Sequence, residues 1–240
     1  MVRIKYSLMT LLTLFYFILT ATLPSAPLAQ EKINPRGTLK VVDLWVVYSS
    51  IEYNYFEGLV TLDKDNNYVP CLAEGWKWID ERTIEFRLRR GVTFQDGETF
   101  DAEAVRVNWE AYKALEAPSG WQYLIIPDES VFEIVDDYAV RFILPEPDGL
   151  ALGKFAYFDQ VSPAFFEGHK FGEARWGHIP EPGPWGTGPF KLVKGGYGGG
   201  KLSDRVVLEA YENYWDPRYP KVKRLIFDNT LLKDREEATR

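Results

Sequence analysis

The chain has 240 residues, of which 46% are hydrophobic, 15% aromatic and 26% charged, with a formal net charge of −7. That composition excludes a disordered tail, which lacks the apolar surface needed to offset ordering entropy. With 19 Gly, 15 Pro and a single Cys, it also excludes a collagen-like chain or a disulfide-stapled scaffold. The 8 Trp, 14 Tyr and 15 Phe call for an aromatic core or for a cleft that stacks its ligand.

The first thirty residues read as a secretory signal. Arg3 and Lys5 give a basic start, Leu8–Thr22 is apolar or hydroxylic, and L-P-S-A-P-L-A-Q forms a small-residue exit over residues 23–30. Pro24 and Pro27 shorten the helical part below the roughly 20 residues a membrane span needs. Removing residues 1–29 leaves 35 acidic against 26 basic residues. An acidic exported domain has no electrostatic reason to hold nucleic acid or anionic lipid.

Thr38–Tyr48 is β-branched and aromatic, which predicts a strand buried on both faces near its end. Residues 49–56 form a polar and aromatic connection with one or two helical turns, and Glu57–Leu62 opens a second strand. Trp76–Ile79 predicts a short strand, Asp80-Glu81-Arg82 a turn, and Thr83–Arg89 a half-buried antiparallel strand, with Ile84, Phe86 and Leu88 on one face. Gln95-Asp96-Gly97 predicts a turn. Asp101 caps a helix reaching Leu115, whose apolar stripe is Val105, Trp109, Tyr112 and Leu115. Val131–Leu144 predicts a hairpin turning at Asp136-Asp137, and residues 153–168 contain a helix. After a Pro- and Gly-rich stretch over 178–190, strands are predicted at 191–194, 205–211 and 222–228, and a helix begins near Thr230. A β-rich region thus interrupts an α/β layer. Trp76, Trp78, Trp109 and Tyr112 are core candidates. Trp45, Tyr48, Tyr53 and Tyr55 lie at or after the end of the first strand, where open α/β sheets hold ligands.

Several motifs fail on their own chemistry. Asp63-x-Asp65-x-Asn67 with Glu74 imitates a calcium loop, but Tyr68 stands where the sharp turn requires Gly, so a polar turn between strands is expected. Residues 195–201 imitate a phosphate loop, yet Leu202 replaces the magnesium-binding hydroxyl and a strand follows, so a hairpin loop is expected. His169 and His178 with the remote Cys71 do not make a zinc set. No nucleophile has an obvious base. The expectations are no catalytic residue, no metal and no cofactor.

Two ordered blocks resemble family 5 extracellular solute-binding proteins. The first is E-G-L at 57–59, P-x-L-A-x-x-W at 70–76, T-x-x-F-x-L-R-x-G-V-x-F-x-D-G at 83–97 and A-x-x-V at 102–105. The second is G-T-G-P-F at 186–190, then L-E-A-Y-E-N-Y-W at 208–215 and P-K-V-K-R-L-I-F at 220–227. The resemblance implies an α/β fold of periplasmic binding protein type II, in which a first lobe carries an α+β insertion and the second lobe is missing from the chain. It implies a signal over 1–29, a first-lobe segment over 30–60, a β-rich insertion over 61–177, and a return to the first lobe over 178–240. Trp45, Tyr48, Ser49 and Ser50 would supply a strand edge to the ligand, and Trp185, Gly186, Thr187 and Gly188 would lie at the cleft wall. Cys71 would be a small buried hydrophobe. The implied function is capture of a peptide or similar small solute in the periplasm, by a monomer that delivers it to an ABC permease. An exported carbohydrate-active enzyme and a sensory module without an import partner are the alternatives.

Overall fold

The computed structural model describes residues 32–41, 53–113, 125–169, 183–198, 201–228 and 230. The signal segment, Trp45, Tyr48, Ser49, Ser50, Leu115, His178 and the helix expected after Thr230 lie outside the described residues.

In chain order the strands are β1 (Thr38–Val41), β2 (Val60–Leu62), β3 (Tyr68–Pro70), β4 (Ala73–Trp78), β5 (Thr83–Leu88), β6 (Val131–Asp136) and β7 (Ala139–Ile143). They continue with β8 (Phe190–Lys194), β9 (Tyr197–Gly198), β10 (Lys201–Leu202), β11 (Arg205–Ala210) and β12 (Arg224–Asp228). Helix α1 spans Ala102–Tyr112, α2 spans Ala151–Ala156, and a 3-10 turn spans Pro163–Glu167. Among the described residues no helix is long and apolar enough to cross a membrane.

Two four-stranded sheets organise these elements. The first has the order β1-β12-β11-β8, with β1 parallel to β12 and the other pairs antiparallel. The first strand therefore joins elements that follow the G-T-G-P block. The second sheet, β4-β5-β7-β6, is antiparallel throughout and lies between β1 and β8 in sequence. Its inner face takes Ile84, Phe86 and Leu88 from β5, as the alternation of that strand predicts. Opposite them, Phe142 packs on Phe132, Phe155 and Trp109 with ring centroids 5.1, 4.8 and 5.4 Å away, each edge to face. Each buried ring contributes about 2 kcal/mol by leaving water, with a further ~1 kcal/mol from such geometry. Much of the aromatic excess is thus core.

Helix α1 begins where Asp101 accepts a bond from the Ala104 amide at 3.0 Å. One turn on, the wholly buried Asn108 donates to the Ala104 and Val161 carbonyls and accepts from the Val161 amide. A single side chain thereby fastens the helix to the segment carrying Ser162. On the outer face of the second sheet, Lys77, Glu85, Arg141 and Glu133 pair in sequence across four strands at 2.7, 2.8 and 3.2 Å.

The described part of β1 is exposed, with Leu39 half open to solvent, because the strand lies at the sheet margin; its end, where burial is expected, lies outside the described residues. Two expectations change. Glu57 forms an isolated bridge to Gln160, and regular pairing begins only at Val60. Trp78 is 41% exposed, since β4 is an edge strand and the sheet ends beside it. The acidic imitation of a calcium loop is a polar turn: Asp63 accepts from the amides of Asp65 and Asn67, and Asn66 takes a φ of 63° between β2 and β3. The glycine-rich segment pairs β9 with β10 as a hairpin.

Candidate functional site

The site is built around the strap Trp185–Gly188, the residues expected at the cleft wall and half of the expected ligand-binding set. Three segments pin it. The buried Tyr55 hydroxyl accepts from the Trp185 amide at 2.9 Å and donates to the Gly183 carbonyl at 2.5 Å. The Tyr55 carbonyl accepts from the Gly188 amide at 3.0 Å. From the other side, the Gln95 amide donates to the Gly186 carbonyl, and its side chain donates to the carbonyls of Gly188 and Phe190. The Ser162 amide donates to the Trp185 carbonyl at 2.7 Å.

Glycine is required here by close approach. A Cβ on Gly186 would stand 1.9 Å from the Tyr55 carbonyl oxygen, and one on Gly188 would stand 2.7 Å from it. Gly186, Thr187 and Gly188 are buried, while Trp185 is half-buried and packs its ring edge to face on Phe165, which in turn stacks on His169. Burial pushes the Tyr55 phenol well above its usual range, so it stays protonated and can hold both strap contacts.

Beneath the strap lies a carboxyl. Glu57 is buried and accepts from the Tyr214 hydroxyl at 2.6 Å and the Trp215 indole at 3.0 Å, with the Cys71 thiol 3.7 Å away. The wholly buried Thr187 hydroxyl lies close enough to help stabilise the charge, although its oxygen lacks the geometry of a made hydrogen bond. Burial pushes the Glu57 carboxyl up, and its donors only partly pull it back. Burial, followed by the Glu57 charge, pushes the Tyr214 phenol and the Cys71 thiol up as well. Cys71 is buried as its chemistry predicts, but it abuts a carboxyl.

Glu57, Cys71, Tyr214 and Trp215 line a groove of about 760 Å³ between the β2–β3 hairpin and the loop at 214–219. Among the described residues no group of three or more His, Cys, Asp or Glu is placed to hold a metal ion. Sequence reasoning gave no role to Tyr55 in seating the strap, nor to Gln95, Glu57, Tyr214 or Trp215. The signal that could have found them is the pairing of E-G-L with E-N-Y-W as two blocks of one pattern.

This fold, with an antiparallel sheet inserted between β1 and the β8–β12 strands of the first sheet, is shared with solute-binding proteins of known structure. The description "Bacterial extracellular solute-binding proteins, family 5 Middle" matches residues 67–238, and the chain belongs to that family. It is 30% identical over 177 residues to the glutathione-binding protein GsiB of Salmonella paratyphi A, covering 72% of this chain and 32% of that protein. An ABC transporter substrate-binding protein from Sinorhizobium meliloti superposes with a TM-score of 0.63 at 26% identity, over 84% of this chain and 41% of that one. NikA from Brucella suis, crystallised with Fe(III)-EDTA, gives 0.62 at 26% identity, over 81% and 39%. The chain thus spans about a third of the length of the curated relatives it matches.

Proposed function

We propose that this chain forms part of the solute-capturing component of an ABC importer, which binds a peptide or similar small solute in the periplasm and hands it to a membrane permease. It works as a monomer, without catalysis, and residues 1–29 direct its export. The observation that carries the reading is the family membership of residues 67–238. It is supported by the name of a relative that binds glutathione, a peptide-like solute, and by the ABC-transporter designation of a structural neighbour. In this reading Trp45, Tyr48, Ser49 and Ser50 offer a strand edge to the ligand, and the Trp185–Gly188 strap backs the cleft. Residues 30–60 and 178–240 belong to one lobe, and 61–177 to the insertion. A second lobe closes over the ligand by hinge motion.

A chimaera tests this. The corresponding third of the glutathione-binding relative is replaced by residues 30–240, and glutathione binding is measured by calorimetry. Retained binding is the expected result; a folded chimaera with no affinity for glutathione or for any di- or tripeptide would overturn it. The isolated 240-residue chain is expected to bind such solutes more weakly than micromolar, because it spans about a third of the length of its curated relatives and offers the solute less surface.

A further inference from the structure

Glu57 is a buried carboxyl to which the fold supplies only neutral donors, Tyr214, Trp215 and Cys71. Among the described residues no Lys or Arg forms an ion pair with it. Two cations sit close by, and both are engaged elsewhere. Arg89 lies 4.2 Å over the Trp215 ring and donates to the Cys71 carbonyl, and Arg218 is bound to Asp216 at 2.6 Å. Asp216 adds a further negative charge on the same side. Tyr214 and Cys71 stay protonated and cannot take up the charge of Glu57. The carboxyl also lines the groove, so water and protons have a route to it.

We infer that Glu57 is a proton-operated latch on this groove: protonated, it seals the loop at 214–219 against the Cys71 segment, and ionised, it drives that loop open toward water.

The direction follows from linkage. The closed arrangement buries the carboxyl and raises its proton affinity, whereas an opened groove hydrates it and returns it to the ordinary range. Protonation therefore favours the closed form, and closure weakens as pH rises through the raised value. The two oxygens have different parts in this. The Trp215 indole can only donate, so Oε2 stays an acceptor. Oε1 faces the Tyr214 hydroxyl and the Cys71 thiol, each of which can also accept. The proton therefore sits on Oε1 and donates to Tyr214, and the loop remains tied at both oxygens without a buried charge.

Cys71 reports the motion. In the 240-residue chain, its alkylation by a small thiol reagent is compared with that of Glu57→Gln, an uncharged isostere of the closed state. Near neutral to mildly alkaline pH the natural chain is expected to react faster, by about tenfold for each unit by which burial displaces the carboxyl, and the two rates are expected to converge in mild acid. Electrostatics alone predicts the reverse, since losing the Glu57 charge makes the thiol easier to ionise. An equal or faster Glu57→Gln rate at every pH overturns the latch. Tyr214→Phe keeps the carboxyl and removes the acceptor of its proton in the closed form. The pH midpoint of the Trp215 indole N–H signal in that variant is expected to move downward, and an unmoved midpoint also overturns the proposal.

Discussion

The Tyr214 hydroxyl donates a 2.6 Å hydrogen bond to Glu57 across 157 positions of sequence. The neighbouring Trp215 indole bonds the other carboxylate oxygen, so the E-G-L and E-N-Y-W blocks meet through one side chain. Replacing Trp215 with Phe keeps most of the ring volume but leaves Oε2 without its donor inside the protein. We expect a loss of about 2 kcal/mol in unfolding free energy, read as a lower urea midpoint. An unchanged midpoint would show that water replaces the indole.

Gly186→Ala brings a methyl group onto the Tyr55 carbonyl oxygen. The strap must then shift, at a cost of about 1–3 kcal/mol. Gly75→Ala is the control, because a Cβ there meets nothing within 4 Å. Thermal unfolding should show a lower Tm for the first variant and little change for the second; equal shifts would discard the close-approach argument.

Asn108→Ala removes two donors and one acceptor from the joint between α1 and Val161. Stranding the Val161 amide and carbonyl in the core is expected to cost about 2–3 kcal/mol. Hydrogen exchange at the Val161 amide gives a local check, since protection there should fall by more than at β5.

At acid pH the informative group is Asp228. The Thr230 hydroxyl first, and Lys40 of β1 next, hold its carboxyl down to about 2. Its folded value lies below the unfolded one, so its stabilising contribution is present above about pH 4 and is lost as pH falls toward 2. Asp228→Asn should flatten that limb of the stability–pH curve. If the variant and the natural chain fall in parallel, the Thr230 and Lys40 contacts contribute nothing.

The charged row on the second sheet is expected to matter little. A double-mutant cycle on Lys77 and Glu85 should give a coupling of about 0.5 kcal/mol, diminished by salt because Lys77 is mostly exposed. A coupling several times larger, or one insensitive to salt, would mean that the row acts as a single network.

Much of this fold was legible in local pattern. The alternation of Thr83–Leu88, the Asp101 cap and the β6–β7 hairpin each depend on neighbours in sequence; the first two stand where the pattern puts them, and the hairpin turns one residue later than expected, at Asp137-Tyr138. What escaped the sequence depends on distant partners. The exposure of Trp78 follows from the order of strands in a sheet, which a six-residue segment does not encode. The Gln95 clamp looks like an ordinary turn residue until the strap arrives from 93 and 95 positions away. Glu57 reads as one letter of a motif, because its bonding partners are in another block.

The pairing of β1 with β12 sets the order in which the molecule can assemble. Thr38 must find Arg224 and Val41 must find Phe227, so the first sheet stays incomplete until nearly all the described chain has emerged. The β4–β5 and β6–β7 pairs close over a few residues and can form early. Closing long loops is slow and costs chain entropy before any contact rewards it. We therefore expect pulse-labelled exchange during refolding to protect β5 and β7 first and β1 last; simultaneous protection would show that the two sheets condense in one step. Until that last pairing, β12, whose residues are mostly apolar, waits with one edge unpaired. That interval is when the chain is most exposed to aggregation and most dependent on being held unfolded.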